Sequence, residues 1–312
     1  MNSARNVLSH KHPQETGTDS GATGQDFTKI NVLRRIQEAD TIFSLLSLCT
    51  RSPYVQCDPE TFDDEIYLFL DEETAKATSK ALLEEEKQPA GAVRIGADQK
   101  MHFFSSLFLM GVNAFIVKEG EQSLKFQLEE LVKRRIPEEE KEGLVRVENP
   151  SLLLTALYYA QEIRRRKVDE SDAKVRELQE EMLADFRRGT FIMAVEKETK
   201  NTPLMKVGED LFHPVFTDIE EFKKFDLGQK FLAAVVPSSE IPKHIASNAK
   251  GVVLNPLGVN LVLNLGRGHG KPAQAKQTQV QETMQQAQAA QAQEGHVPTP
   301  TESGFAPEQT EN

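Results

Sequence analysis

Gly251-Val252-Val253-Leu254-Asn255-Pro256-Leu257-Gly258-Val259-Asn260-Leu261-Val262-Leu263-Asn264 is the stretch on which the fold turns. Residues 252–254 and 259–263 are apolar runs of strand length, too short for a helix of ordinary size. Between them, Pro256 sets φ at the second turn position. Gly258 at the fourth accepts a left-handed backbone leading into the next strand. The stretch therefore reads as two strands on a tight connection. Asn260 stands in an apolar strand, where a buried amide needs partners; loop backbone is the ordinary source and ligand recognition the rarer one.

Upstream, the second half of the chain continues as α+β. Asn149-Pro150 places a capping residue before a proline at the first helical position, where its missing N–H is harmless. A long helical region follows, interrupted near 169–172, and closes at Arg187-Arg188-Gly189 with cations in the last turn. Residues 191–195 read as a strand, 203–207 and 211–216 as a hairpin around Gly208-Glu209-Asp210, 231–236 as a strand and 238–248 as a helix. Thr217-Asp218-Ile219-Glu220-Glu221 is a helix start of capping-box type: Thr217 or Asp218 satisfies free N–H groups, with Glu220 or Glu221 reaching back.

The first half shows the same order of elements. A helical pattern opens at Asn31 and runs through Val32, Leu33, Ile36, Ile42, Phe43, Leu45 and Leu46 to Ser52-Pro53. Strands follow at 54–57 and 65–70, then a helix from Asp71 to Leu83 and a strand at 90–95. A short helix or turn at 101–104 precedes two strands, 107–110 and 114–117, joined by Gly111-Val112-Asn113. Forty residues separate Asp71 from Gly111, and forty separate Asp218 from Gly258. Both windows close with Gly-Val-Asn. The expectation is a duplication: two related α+β domains with mixed sheets and flanking helices, at 27–147 and 148–267, each equivalent at Asp71/Asp218 and at Gly111/Gly258. A charged helix at 121–135 and an acidic loop at 137–142 would link them. Residues 1–26 and the Gln/Ala/Pro-rich 268–312 carry no apolar period and read as disordered ends.

The segments 190–195, 211–225, 231–236 and 251–264 together resemble the SseB N-terminal domain family, named for a bacterial protein linked to enhanced serine sensitivity. The marks are the aromatic-Thr-Asp-acidic start Phe216-Thr217-Asp218 and the closing Asn255-Pro256-Leu257-Gly258-Val259-Asn260. The resemblance covers about 149–265. The first unit departs from it, with Leu70 where Thr217 stands and Leu109-Met110 where Pro256-Leu257 stand, so it would be a diverged copy. The resemblance implies a bacterial cytoplasmic protein of mixed α/β fold, with no established reaction or cofactor and hence no catalytic residue to carry over.

Composition narrows the function classes. The net charge is −11 over 312 residues, and the pI is about 5.3 with mean hydropathy −0.47. Nucleic acid and anionic membrane surfaces need a basic face, so neither is expected as a partner. The basic runs Lys133-Arg134-Arg135 and Arg164-Arg165-Arg166-Lys167 read as solvated helix faces. Cys49 and Cys57 are the only cysteines and have no partner at metal-ligand spacing. The histidines are isolated, so no metal site is drawn. The glycine-rich 266–270 lacks the helix that a nucleotide loop needs. No stretch reads as a signal peptide or a membrane span, and cytoplasmic location is expected by elimination. No cofactor is expected.

Two functions follow from this reading. The favoured one is a non-enzymatic interaction or regulatory module whose partner is a protein or a small metabolite. The alternative is an enzyme or an amino-acid/metabolite-binding protein with a pocket between the Asp218 helix start and the 255–260 hairpin, where a helix N-terminus would take a carboxylate. Thr217, Asp218, Asn255, Gly258 and Asn260 are the candidate binding residues. Several of these places hold hydrophobic or unmatched residues in the first unit, which places function in the second.

Overall fold

The computed structural model describes residues 28–134, 145–169 and 171–265. The expected disordered ends, the acidic loop at 137–142 and the glycine-rich 266–270 lie outside these residues. The chain is α+β, with two mixed six-stranded sheets and flanking helices.

The first unit runs α1 (Lys29–Glu38), β1 (Thr41–Ser47), β2 (Gln56–Cys57), β3 (Asp64–Phe69), α2 (Glu72–Glu86), β4 (Ala90–Gly96), α3 (Ala97–Leu109), β5 (Ala114–Glu119), β6 (Gln122–Gln127) and α4 (Leu128–Leu131). Its sheet order is β4-β1-β3-β5-β6, with β2 added to β3. Helices α5 (Pro150–Arg165) and α6 (Ala173–Arg188) follow. The second unit is β7 (Thr190–Glu196), β8 (Met205–Val207), β9 (Asp210–Phe216), α7 (Ile219–Phe225), β10 (Phe231–Pro237), α8 (Ile241–His244), β11 (Ala249–Leu254) and β12 (Leu261–Asn264). Its sheet order, β10-β7-β9-β11-β12 with β8 added to β9, repeats the first strand for strand. In both, the central pair is parallel (β3/β5 and β9/β11) and the other pairings are antiparallel.

The repeat is therefore one of topology, and it differs from the one the spacings suggest. Asp71 and Asp218 do begin equivalent helices, α2 and α7, directly after β3 and β9. Gly111 and Gly258 are not equivalent: Gly111 precedes β5, whereas Gly258 follows β11, the strand that corresponds to β5. The equal forty-residue intervals are a coincidence. Helices α2 and α3 of 15 and 13 residues stand where α7 and α8 have 7 and 4, which displaces everything downstream.

Several element types also differ from the sequence expectation. Ile42–Ser47 is strand rather than helix: Ile42 and Ser44 are buried two apart, and Ser44 Oγ donates to the Tyr67 carbonyl at 2.8 Å. Residues 107–109 close helix α3, with Phe104 and Leu107 buried three apart; a short apolar run fits either period. The charged linker helix expected over 121–135 is strand at β6, in which Phe126 is buried between half-buried Lys125 and exposed Gln127, and only Leu128–Leu131 is helical. The helix expected over 238–248 forms only at Ile241–His244.

Helix α5 explains how the two units become one core. Ten of its sixteen residues are buried, on every side of the helix, and they include Leu152, Leu154, Leu157 and Tyr159. A helix apolar all round belongs inside a protein rather than on its surface. The cluster it joins holds Ile66, Phe115 and Val117 from the first sheet and Phe191, Met193 and Val252 from the second. Gly111 permits the helix to start so close. It has φ +78°, and a Cβ there would lie 2.9 Å from the Pro150 carbonyl oxygen. Because one core serves both sheets, calorimetry of the whole chain should show a single unfolding transition. Leu157→Ala should lower its stability by about 2–5 kcal/mol without splitting it. Two transitions, only one of them shifted, would contradict the shared core.

Candidate functional site

All five sequence-selected residues gather where the end of β9 meets the β11–β12 connection. Asp218 caps α7, its Oδ1 accepting the N–H groups of Glu220 and Glu221 at 2.9 and 3.0 Å. Its Oδ2 accepts the Thr217 hydroxyl at 2.7 Å. Asn255 closes the circuit: Oδ1 accepts the Thr217 N–H at 2.9 Å, and Nδ2 donates to Thr217 Oγ1 at 2.8 Å. Thr217 and Asn255 are wholly buried. The Asn255 carbonyl then accepts the N–H groups of both Gly258 and Asn260 at 2.9 Å, drawing the turn tight.

The backbone devices differ from those read in the sequence. Asn255 (φ 45°) and Asn260 (φ 49°) hold the left-handed positions, which asparagine tolerates better than most residues. Gly258 is not left-handed; it is needed for space. A Cβ there would sit 2.5 Å from Glu221 Oε2. Asn260 lies just before β12, and its carbonyl accepts from Arg164 at 2.7 Å. Glu221 does not complete a capping box. Its carboxylate lies against Gly258, with Oε1 paired to Lys224 and Oε2 accepting no hydrogen bond among the described residues. Burial pushes its pKa above the ordinary glutamate value, more than Lys224 lowers it. Asn149 does not cap α5 with its side chain. Its Nδ2 donates instead to the carbonyls of Thr190 and Thr217, both at 2.8 Å, tying the network to β7.

Two further polar constellations escape the sequence reading. The basic run at 164–167 is a solvated face only at Lys167. Arg164 is half-buried in the seam between the units and donates to the Cys49 carbonyl at 2.8 Å, Val259 at 2.9 Å and Asn260 at 2.7 Å. Burial lowers its pKa from the usual guanidinium value. Arg165 and Arg166 turn onto buried Glu162, which Lys174 also meets at 2.7 Å. Burial works to raise the Glu162 pKa, but these cations hold it below the ordinary value.

In the first sheet, Lys125 Nζ reaches Asp58 at 2.6 Å and Asp63 at 2.8 Å. It stands 3.2 Å from Glu65 Oε2, near enough for ion pairing though off the line of a hydrogen bond. Burial opposes ionisation of Asp58, yet Lys125 and the N–H groups of Glu60 and Thr61 prevail and hold its pKa at about 2. Burial prevails at Glu65 and raises its pKa. The signal was present in the alternation of β6, which sends Lys125 to the side opposite Phe126.

The remaining candidates are tied to backbone. His213 Nδ1 meets the Pro203 carbonyl at 2.8 Å and Nε2 accepts the Ala246 N–H at 3.0 Å, an arrangement that requires the neutral ring. Among the described residues no group of three or more His, Cys, Asp or Glu is arranged to hold a metal ion. No helix among them is long and apolar enough to cross a membrane.

No family model matches the chain, the SseB type included, and no curated protein matches it. Two solved structures are distantly similar. Tic22 from Plasmodium falciparum is 13% identical over 72% of this chain and 90% of its own. Anabaena Tic22, described as a protein-transport protein, is 10% identical over 86% and 99%. The TM-score is 0.20 for both.

The contact between Gly258 and Glu221 yields two tests. Gly258→Ala should cost about 1–3 kcal/mol, the usual penalty of overpacking, and less in a Glu221→Ala background; equal costs in both would dissociate the pair. Glu221→Gln addresses the charge. The raised folded pKa means the folded state binds the proton more tightly than the unfolded chain, so wild-type stability falls as pH rises through the folded value. The substitution should therefore stabilise at neutral pH. That gain should shrink as pH drops toward 4.5, the ordinary glutamate value. Denaturant titrations across this range would reveal a pH-independent difference if the burial argument is wrong.

Proposed function

We propose that this chain is a non-enzymatic protein-interaction module of the SseB-like kind, cytoplasmic, with the second unit as its working half. The observation that carries the reading is the state of β10, the edge strand of the second sheet. Its run Phe231-Leu232-Ala233-Ala234-Val235-Val236 has no charge, and Leu232 and Val235 are 46% and 41% exposed. An exposed apolar edge is a template for pairing with another chain, and proteins ordinarily blunt it. The first unit does so at the equivalent strand. In β4, Arg94 stands on the exposed surface, and α2 packs over Ala90 and Ala92.

The buried titratable groups support the same reading. Lys125, Glu162 and Asp218 each spend their hydrogen-bonding capacity inside the fold. The alternative of a carboxylate ligand at the Asp218 helix start has electrostatics against it, since Asp218 and Glu221 already place two carboxylates there.

A photo-reactive residue placed at position 233 of the full chain in cells should give a cross-linked polypeptide, and one at position 94 should not. Equal labelling, or no adduct at 233, would overturn the assignment of function to the second unit's edge.

A further inference from the structure

The hydrogen-bond parity of β10 shows which of its groups face outward. Ser238 N–H donates to the Gly189 carbonyl, and Lys197 N–H donates to that of Lys230. Both pairs keep the register that sets Phe231 against Glu196 and Pro237 against Thr190. Bonded and non-bonded pairs alternate along an antiparallel ladder, so the even-numbered residues of β10 turn their backbone groups toward β7. Phe231, Ala233 and Val235 turn theirs away. The Phe231 N–H leans on the Asp226 carboxylate at 3.3 Å. Among the described residues nothing meets the outward N–H and C=O of Ala233 or Val235.

Resting on the interaction-module reading, we infer that the occupant of this edge is the same edge of a second copy, paired antiparallel about a two-fold axis at Ala233. Three features fix that choice. A two-fold axis perpendicular to the sheet keeps like faces together, so odd-numbered residues must pair with odd-numbered residues. Centring on Ala234 would set Phe231 against Pro237, which has no N–H to give. Centring on Ala233 pairs Ala233 with itself and Phe231 with Val235, all residues whose groups point outward, with the Phe231 N–H exchanging the Asp226 carboxylate for the Val235 carbonyl. No ionised side chain lies within the ladder, and the small Ala233 side chain sits on the axis. Two six-stranded sheets become continuous. Self-complementary pairing of one patch is the ordinary geometry of a two-fold dimer.

Light scattering or sedimentation of the purified full chain should give twice 34.9 kDa, dissociating on dilution. Ala233→Lys places a charge on the axis at an exposed side chain. It should weaken the dimer by up to about fivefold, the cost of like charges directly opposed, with a wild-type melting curve at equal monomer fraction. Ala233→Cys in a Cys57→Ser chain should form an intermolecular disulfide on oxidation, because bonded-pair Cα atoms lie about 5.5 Å apart, within disulfide range. Ala234→Cys should not. A mass of 34.9 kDa at every concentration, a dimer indifferent to Ala233→Lys, or equal cross-linking at 233 and 234 overturns the second-copy assignment. If a monomeric chain still cross-links through position 233 to a different polypeptide, the interaction reading stands and this inference alone fails.

Discussion

The burial of α5 on every side is the constraint from which the rest follows. Ordering sixteen residues in a helix is costly unless the helix covers apolar surface, and α5 has such surface all round: the first sheet on one flank, α6 and the second sheet on the other. Most of its polar groups are correspondingly committed, with Gln161 Oε1 and Arg165 Nε left without a hydrogen bond among the described residues. Tyr158 donates to Asp64 at 2.7 Å and Gln161 to the Val55 carbonyl at 3.1 Å. Arg164 joins Cys49 of the first unit to Val259 and Asn260 of the second. A half-buried guanidinium held by carbonyls alone keeps its charge without a carboxylate, so its hydrogen bonds must offset the hydration it loses. The loop that carries Asn255, Gly258 and Asn260 is thereby fixed from α5 as well as from α7.

Duplicated topology makes the two units controls for each other. Both split the flank of one strand between a long and a short neighbour: β1 and β2 share β3, as β7 and β8 share β9. They differ in the helices that follow. The fifteen-residue α2 packs with Leu82 and Ala75 on Leu45 and Phe69. The seven-residue α7 supplies Phe222 and Phe225, which reach Phe216 and Phe231 but leave Ala233 and Val235 exposed. Helix length thus decides whether an edge strand is covered, and a difference in secondary structure becomes a difference in what the surface offers.

The fold was legible wherever local chemistry and tertiary use coincide. Asp218 and Asp71 cap helices as their positions suggest, and the apolar runs on either side of Asn255-Pro256 pair as strands. It was illegible where the same residues satisfy two periods, as at 42–46, or where a charge changes meaning on burial. Four consecutive cations, 164–167, look like a solvated face, and only the position of Cys49, Val259 and Glu162 around α5 shows that the three arginines turn inward while Lys167 stays exposed. The candidate residues were found together because one turn unites them. Glu221 was read as part of a capping box because the space its carboxylate fills exists only once β11 and β12 are folded back on α7.

Asparagine at the parallel strand pairs explains the site more economically than a ligand does. In a parallel pair the bonds slant, so each end leaves backbone groups that the neighbouring strand does not meet. At the start of β3/β5, Asn113 Oδ1 accepts the Asp64 N–H at 2.8 Å, and its own N–H donates to the Asp64 carbonyl at 3.0 Å. At the finish of β9/β11, Asn255 Oδ1 accepts the Thr217 N–H, and its N–H donates to the Val215 carbonyl. The two amides perform one task at opposite ends of equivalent pairs. Gly111-Val112-Asn113 and Gly258-Val259-Asn260 therefore match in letters and not in place, while Asn113 and Asn255 match in what they do. A residue that completes a parallel ladder supports the strand pair beneath it, and that pair holds up the turn whose carbonyls Arg164 binds.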